Sequence, residues 1–201
     1  DYRASTLREM AQYLPEVWPE ALDATRQIQN DEYRARALSE MAQYLPETVW
    51  PKALEATQQI QNEDYRARAL REMAQYLPET VWPKALDATR QIQDEDYRAR
   101  ALREMAQHLP ETVWPEALDA TRQIQDKYYS ANALQGLLPY LENLFIPFDD
   151  WREMLDVLAY QNRIQLLSVL PNMRPIAIKL SDRATFLKVV QAVQEVGKQW
   201  P

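Results

Sequence analysis

Two rows of polar side chains recur at intervals of 32 residues, and these groups are the best suited to contact a partner repeatedly. An arginine and, seven positions later, a glutamine occupy the same places in three successive units: Arg36, Arg68, Arg100, Gln43, Gln75 and Gln107. Guanidinium and amide groups each donate several hydrogen bonds, and identical groups at a constant step suit an extended or multivalent ligand. A glutamate also stands four residues after each arginine. Such a spacing permits pairing along a helix, so a solvated, self-paired face is the alternative.

A second arginine row and a tryptophan row have mainly structural interpretations. Arg34, Arg66 and Arg98 fall within the apolar arc of a predicted helix. There a long aliphatic stem can lie on the core while the guanidinium reaches acids of an adjacent unit. Tryptophans recur on the apolar arc of a second predicted helix: Trp18, Trp50, Trp82 and Trp114. We expect them in the core between helices, and a ligand-facing aromatic ladder is the alternative.

Neither a metal centre nor a hydrolytic site is indicated by the sequence. His108 is the only histidine and cysteine is absent, so the usual zinc ligands are missing. Tyrosine holds the place of His108 in the other units, and drift between repeats therefore explains the histidine. No serine or threonine has an identifiable general base. We expect no enzymatic activity and no cofactor.

The formal charge and the hydropathy pattern limit the partners. A net charge of −7 argues against a nucleic-acid partner, which would need a basic face opposite the phosphates. No apolar run approaches the roughly 18 residues that cross a bilayer, so we expect no membrane partner. The absence of cysteine is compatible with a reducing compartment, and we expect a cytoplasmic protein.

The polar rows belong to a tandem repeat with a period of 32 residues. Residues 65–96 differ from residues 33–64, and again from residues 97–128, at only four positions. A looser copy precedes them from Tyr2, and a decayed copy opens at Tyr129. A fixed period of this size is typical of repeat architectures, in which each unit packs on its neighbours.

Each unit predicts two antiparallel helices. In residues 65–77 the apolar side chains fill one arc of a helical wheel, and Pro78 ends this helix A. Thr80 is the predicted N-cap of helix B, with Pro83 in the first turn. A lone pair cannot bury its apolar stripe. Residues 1–128 therefore predict an all-α fold, an α-solenoid of four antiparallel helix pairs.

The helical wheel also assigns individual side chains to the core or to solvent. Leu70 on helix A and Leu86 on helix B lie in the apolar arcs and are expected in the core. Arg71 lies on the opposite arc, where the preceding unit carries Ser39. This position is therefore expected to face solvent and to tolerate either residue.

Residues 129–201 predict a degenerate repeat and a C-terminal helical cap, because a terminal repeat has one face in solvent. A fifth helix A is expected to about Glu142, and a fifth helix B over residues 151–160. A short helix over residues 162–170 should end at Pro171.

The last predicted helix begins after a cap at Ser181 or Asp182 and runs to about Lys198. Five apolar side chains stand at helical spacing along it: Phe186, Leu187, Val190, Val193 and Val196. This stripe predicts one apolar face. The loop at residues 143–150 is too apolar for an exposed linker, so we expect it to fold back over the end of the stack.

The repeat resembles a known class of helical repeat. Each unit has the form Tyr-Arg-Ala-x-Ala-Leu-x-x-(Met/Leu)-Ala-x-x-Leu-Pro, followed by Ala-Leu-x-Ala and a short acidic link. It is similar to the C-terminal helical repeats of bacterial, especially cyanobacterial, STAND NTPases. The tail is similar too, at Leu170-Pro171, Arg174-Pro175-Ile176 and residues 196–201, although Gln199 departs from the Trp-Trp-Pro ending of such chains. The resemblance covers essentially the whole chain.

The resemblance implies a sensor array whose nucleotide switching is done elsewhere. No phosphate-binding loop occurs in this sequence, in which the only two glycines are Gly136 and Gly197. The resemblance therefore implies an NTPase domain upstream. The unit is only tetratricopeptide-like or HEAT-like, because its period is 32 and the tetratricopeptide glycine is missing.

The function predicted from the sequence is a non-enzymatic module that binds a protein or peptide ligand, as the sensor end of a larger signalling ATPase. The first alternative is a purely structural array, natural or made by duplicating one unit, with no specific ligand. The second is an RNA reader with one base per repeat, which the net charge and the near-identity of the units disfavour.

Overall fold

The structure, a computed structural model, describes residues 17–143, 146–160, 163–179 and 183–198. Every regular element in these ranges is a helix, so the prediction of an all-α fold is confirmed for them. The α-helices are α1 Trp18–Arg26, α2 Asp31–Ala42, α3 Trp50–Gln58, α4 Glu63–Ala74, α5 Trp82–Arg90, α6 Glu95–Met105, α7 Trp114–Arg122, α8 Lys127–Leu137, α9 Phe148–Ala159, α10 Arg163–Lys179 and α11 Arg183–Gly197. Short 3-10 helices cover Glu47–Val49, Glu79–Val81, Ala106–His108, Glu111–Val113 and Leu138–Asn143. Within the described ranges, none of the helices has the length and apolar character that crossing a membrane requires.

Helix A of successive units corresponds to α2, α4, α6 and α8, and it begins earlier than predicted. Asn62 has an extended backbone, and its side-chain oxygen accepts hydrogen bonds from the Asp64 and Tyr65 N–H groups. This cap satisfies donors that have no partner within the helix, so α4 starts at Glu63. The same position caps the other A helices through Asn30, Asp94 and Asp126.

Helix B corresponds to α1, α3, α5 and α7, and it begins at the tryptophan with a proline in its first turn. The prediction of Thr80 as the N-cap is wrong, because Val81 occupies that place without a side-chain hydrogen bond. Thr80 lies in the preceding 3-10 helix, and its hydroxyl donates to the Glu47 carboxylate of the previous unit. A tight turn before helix B thus directs the threonine towards a neighbouring unit.

Each helix pair buries the predicted apolar stripe. Leu70 of α4 and Leu86 of α5 are at most 1% exposed, so their place in the core is confirmed. The tryptophans that begin helix B are also buried, which confirms the core interpretation for Trp18, Trp50, Trp82 and Trp114. Buried alanines such as Ala85 and Ala88 lie on α5, the helix that begins at Trp82. Their small side chains allow close packing of neighbouring helices.

Equivalent helices pack on one another along the chain. α2 contacts α4, α4 contacts α6 and α6 contacts α8, while α1, α3, α5 and α7 make contacts in the same succession. A threonine of helix B also meets a methionine of the next helix A, with the Thr57 and Thr89 hydroxyls 3.6 Å from the sulfur atoms of Met73 and Met105. These contacts bring equivalent side chains of successive A helices next to one another.

The helices after Asp126 depart from the regular pattern. α8 ends at Leu137, and a 3-10 helix completes the segment in which a longer helix A was predicted. α9 begins at Phe148, three residues before the predicted start. Ile146 is buried just ahead of it, as expected for a loop that folds back. Leu144 and Phe145 of this loop lie outside the described residues.

The prediction that a helix ends at Pro171 is wrong, because α10 runs unbroken over Arg163–Lys179. Four apolar side chains are buried at helical spacing on both sides of the proline: Leu166, Val169, Met173 and Ile176. Pro171 itself is exposed. Burial of the stripe offsets the hydrogen bond that a proline removes from a helix, so tertiary packing overrides the local signal.

α11 is helical as predicted, but its apolar stripe does not lie in the core. Three side chains of the stripe are 58%, 37% and 39% exposed: Leu187, Val190 and Val193. Ala192 is buried instead, on a helix that contacts α9. The proposed caps Ser181 and Asp182 and the side chains of Phe186 and Val196 lie outside what the structure describes.

Candidate functional site

The predicted arginines and glutamines lie on one exposed surface, here called the A face. It belongs to α2, α4 and α6 with the residues that directly follow them, and it carries Arg36, Arg68, Arg100, Gln43, Gln75 and Gln107. The three arginine side chains are 72%, 52% and 54% exposed. Because these helices pack side by side, the arginines form a row that crosses the boundaries between units.

The arginines of this row do not all have the predicted partner. Arg36 and Arg68 each donate through Nε to the glutamate four residues later, at 2.8 Å in both cases. Arg100 instead pairs with Asp96, four residues earlier, at 2.9 Å. The prediction of a glutamate partner is therefore confirmed twice and wrong once.

The change of partner follows from one substitution between units. Arg71 reaches Glu104 of the next unit at 2.9 Å, so this glutamate is already paired beside Arg100. In the preceding unit the corresponding residue is Ser39, which is too short to make the same contact with Glu72. A single side chain thus decides how the arginine of the following unit is paired.

Pairing with glutamate raises the pKa of two of the arginines. A hydrogen bond to Glu40, together with its negative charge, raises the pKa of Arg36 above the usual value. Glu72 raises the pKa of Arg68 in the same way. Exposed ion pairs contribute little to stability. A ligand carbonyl or carboxylate could therefore replace the glutamate at small cost while the arginine stays charged.

The glutamines stand at the ends of the A helices. Gln43 and Gln75 are exposed, and their Nε2 atoms donate to the Glu40 and Glu72 carbonyls at 3.3 and 3.2 Å. Gln107 is exposed as well, in the 3-10 helix that follows α6. An amide has two donor hydrogens and an acceptor oxygen, so Gln43 and Gln75 retain capacity for a ligand.

A groove separates neighbouring A helices on the A face. Between α2 and α4 it encloses about 280 Å³ and is lined by Glu32, Ala35, Arg36, Glu40, Tyr65, Arg68 and Glu72. Ala35 is buried within it, and the Tyr65 hydroxyl lies 3.5 Å from a Glu32 carboxylate oxygen. The lining carries two arginines and three glutamates. The groove therefore offers both hydrogen-bond donors and acceptors.

The arginines of the second row link neighbouring units. Each pairs with an acid on its own helix, so the prediction that they pair with acids of an adjacent unit is wrong. The pairs are Arg34–Asp31, Arg66–Glu63 and Arg98–Glu95. Arg98 also donates to the Ile92 carbonyl at 3.2 Å, just after the preceding helix B. These arginines connect units through the backbone because the carbonyls after helix B lie within their reach.

The acids of those pairs bind the next unit, a contact that sequence reasoning missed. The Glu63 carboxylate accepts hydrogen bonds from the N–H groups of Gln93 and Asp94. Glu95 makes the same two contacts one unit later. The signal was present in the sequence, since an acid recurs three residues before each of these arginines.

His108 and the buried threonines have ordinary structural surroundings. His108 is exposed at the end of the 3-10 helix Ala106–His108. Thr89 is buried, and its hydroxyl donates to the Ala85 carbonyl one helical turn earlier. Within the described ranges, no cluster of three or more His, Cys, Asp or Glu side chains is placed to hold a metal ion.

Comparison with protein-family models, curated proteins and solved structures found no match.

Proposed function

We propose that this chain is a non-enzymatic binding module that holds an extended protein or peptide segment along the A face. The observation that carries the proposal is the row of exposed arginines, one per unit, on three helices that pack side by side. A segment laid across α2, α4 and α6 would meet the same guanidinium and amide donors at each step. Repeated weak contacts of this kind add up to useful affinity.

The groove between α2 and α4 favours a polypeptide over a polyanion as the ligand. Its lining holds three glutamates and two arginines, so a run of phosphates would meet more repulsion than attraction. A peptide offers carbonyls to the arginines and N–H groups to the glutamates. The exposed Arg36–Glu40 pair can open for such a ligand, because it contributes little to folding.

An α-solenoid with residues 129–201 as its C-terminal cap is the architecture that this function requires. The successive contacts among α2, α4, α6 and α8, and among α1, α3, α5 and α7, support it. In a solenoid each unit packs only on its neighbours, so the binding surface lengthens with every repeat. A place as the sensor end of a cytoplasmic STAND-type ATPase, with the NTPase domain upstream, is supported by the repeat motif and the tail.

A purely structural array is the second candidate, and one set of contacts favours it. Recurrent polar side chains bind neighbouring units, as Thr80 does with Glu47 and Thr112 with Glu79. A sequence selected only for stacking, or copied from one unit, would retain these contacts without any ligand.

Selection of peptides on the whole chain separates the two candidates. Extended peptides displayed on phage would be selected against the wild-type chain, and the Kd of each would be measured on variants. Arg36→Ala combined with Arg68→Ala should weaken binding by about tenfold or more, since both walls of the groove lose a donor. Adding Arg100→Ala should weaken binding further.

Lys52→Ala combined with Lys84→Ala is the matched control, because it removes the same charge from exposed positions on helix B. The control should leave the Kd unchanged. Equal loss in both variants would indicate an effect of overall charge, and no loss in either would place the binding surface elsewhere. Failure to select any peptide would favour the structural array. A lowered melting temperature in the arginine variant would assign these side chains a structural function.

A further inference from the structure

A cavity opens where the regular units meet the C-terminal segment, on the side of helix B. It lies between α7, α8 and α9 and has a volume of about 240 Å³. Its apolar lining comes from Leu118, Ile124, Leu134, Met154 and Val157. Arg122, Lys127 and Glu153 are the charged residues of the lining. None of these residues belongs to the A face.

One cause of the cavity is a missing arginine. In the regular units this position of helix A holds an arginine, and the guanidinium groups of Arg34 and Arg98 donate to the Ile28 and Ile92 carbonyls after helix B at 3.0 and 3.2 Å. Ser130 stands at the same position in α8. Its short side chain donates to the Thr121 carbonyl at 3.2 Å instead. The space of the arginine stem and guanidinium, beside Ile124, is therefore left open.

Larger side chains on α9 shape the opposite wall. Aligned on the tryptophan of helix B, Met154 and Val157 take the places of Ala117 and Ala120 in α7. Both alanines are fully buried in the regular packing. Bulkier residues at these places cannot pack as closely, and they extend an apolar wall into the cavity. The side chains that form this wall are thus a local departure from the repeat.

One position beside the cavity also carries the opposite charge from the equivalent position in the regular units. The residue three positions before the arginine is an acid in the regular units, as at Glu95, but it is Lys127 before Ser130. The Lys127 ammonium lies 5.9 Å from the centre of the Tyr160 ring. Among the side chains that the structure describes, no carboxylate forms an ion pair with it. Within that part of the chain, a cation without an acidic partner therefore stands at a largely apolar cavity.

The other charged residues of the lining are already paired. Arg122 binds Asp119 at 3.3 Å and Asp150 at 3.1 Å. Glu153 lies 3.9 Å from the Arg122 guanidinium. Of the charged residues of the lining, Lys127 is therefore the one whose ammonium group can bind an anionic group of a ligand.

We propose that this cavity binds a small amphiphilic carboxylate, with the carboxylate at Lys127 and the apolar body against Leu134 and Met154. The size agrees with this class of ligand. A cavity of about 150 Å³ is known to hold benzene, so a volume of about 240 Å³ admits a body of roughly eight to ten heavy atoms. The apolar lining supplies most of the affinity and the single cation selects the charge of the ligand.

Binding of three ligands of equal chain length to the whole chain tests the proposal. Octanoate, octanol and octylamine would be titrated, with Kd measured by calorimetry and the site followed through the methyl resonances of Met154 and Leu134. Octanoate should bind best, and octylamine at least about tenfold more weakly. Lys127→Gln should bring octanoate to the level of octanol, whereas Lys52→Gln, a control on helix B of a regular unit, should change nothing.

Filling the cavity provides the second arm of the test. Ser130→Arg with Lys127→Glu restores the pattern of Arg98 and Glu95, and this variant should lose binding of all three ligands while it keeps a cooperative melting transition. Persistence of octanoate binding in that variant would overturn the proposal, as would equal binding of octylamine and octanoate to the wild-type chain. The Lys127→Gln result remains decisive even if the double variant does not fold, because Lys127 is exposed.

Discussion

The regular units at residues 33–128 and the C-terminal segment from residue 129 use the same kinds of helix in different ways. In the regular units the core leucines have equivalent burial, as at Leu38, Leu70 and Leu102, and alanines such as Ala85 and Ala88 are buried where helices pack. In the C-terminal segment, Ser130 stands in place of an arginine of the regular units, Gly136 in place of a glutamate and Met154 in place of an alanine. The regular helices therefore repeat one set of contacts, whereas the helices of the C-terminal segment make contacts that do not recur in the regular units.

Gly136 marks a close contact between α6 and α8 that the regular units do not have. It stands at the position of Glu104 in the preceding unit. A Cβ added to it would lie 2.6 Å from the Arg103 carbonyl oxygen and 2.7 Å from the Arg103 Cα. Atoms in folded proteins do not approach so closely, so α8 packs nearer to α6 than any side chain at this position would allow. A single small residue at the boundary between two units therefore permits a closer approach of their helices.

Removal of residues 143–201 is expected to have the largest effect. It deletes α9 and α10, which contact α8 and the 3-10 helix Leu138–Asn143, and uncovers apolar side chains such as Leu134 and Leu138. We expect a lower melting temperature and self-association, measured by light scattering. Removal of the first repeat should have a smaller effect. A truncated chain that stays monomeric with an unchanged melting temperature would show that the segment is not a cap.

Replacement of Leu70 or Leu86 by alanine tests the regular core. Both side chains are buried, and such a change is expected to lower the free energy of unfolding by about 2–5 kcal/mol. Chemical denaturation measures the loss. Arg71→Ser should stay within about 0.5 kcal/mol, since the preceding unit already carries Ser39. Leu167→Ala in the C-terminal segment should also be mild, because Leu167 is exposed. A larger loss at Arg71 than at Leu70 would contradict the assigned core.

Gly136→Ala tests the close contact between α6 and α8. The added methyl group meets backbone atoms of Arg103 that cannot move alone, so we expect a cost of about 1–3 kcal/mol in the free energy of unfolding. Gly197→Ala is the matched control, since nothing lies within 4 Å of a Cβ at that glycine. The control should be neutral or slightly stabilising, because alanine favours helix. Equal stability of the two variants would mean that α6 and α8 separate easily.

Glu95→Gln tests the polar links between regular units and should have the smallest effect. The Glu95 carboxylate accepts hydrogen bonds from the N–H groups of Gln125 and Asp126 and pairs with Arg98. An amide retains the shape but has only one acceptor oxygen, so we expect a loss of about 1 kcal/mol. Glu104→Gln, at an exposed ion pair, should cost less. Thermal melting of both variants gives the order, and the reverse order would show that the backbone contacts are dispensable.

Sequence reasoning predicted the helix pairs, the buried stripes and the exposed A face. The period of 3.6 residues identified Leu70 as a core position without knowledge of neighbouring helices, although Arg71 is only 24% exposed and pairs with Glu104 of the next unit. It also predicted buried tryptophans, since Trp82 falls on the same arc as Leu86. These predictions succeeded because each depends on residues within a few turns of one helix.

The predictions that failed depend on residues distant in sequence. Pro171 does not end its helix because Met173 and Ile176 are buried beyond it. Thr80 faces Glu47, 33 residues earlier, and does not cap the helix that follows. The helical spacing in α11 did not predict that Leu187, Val190 and Val193 would be exposed, since spacing does not reveal which side of the helix meets α9.

The sequence by itself determined where helices form and which of their sides are apolar, because both properties arise from local periodicity and from the rigidity of proline. Only the tertiary structure decided which charged side chains depart from the pairing that the local spacing predicts. Arg100 turns to Asp96 because Arg71 of another unit reaches Glu104. The cavity beside Ser130 likewise depends on how α9 packs near α7 and α8. Such outcomes are set by distances between separate helices, which one helix's sequence does not contain.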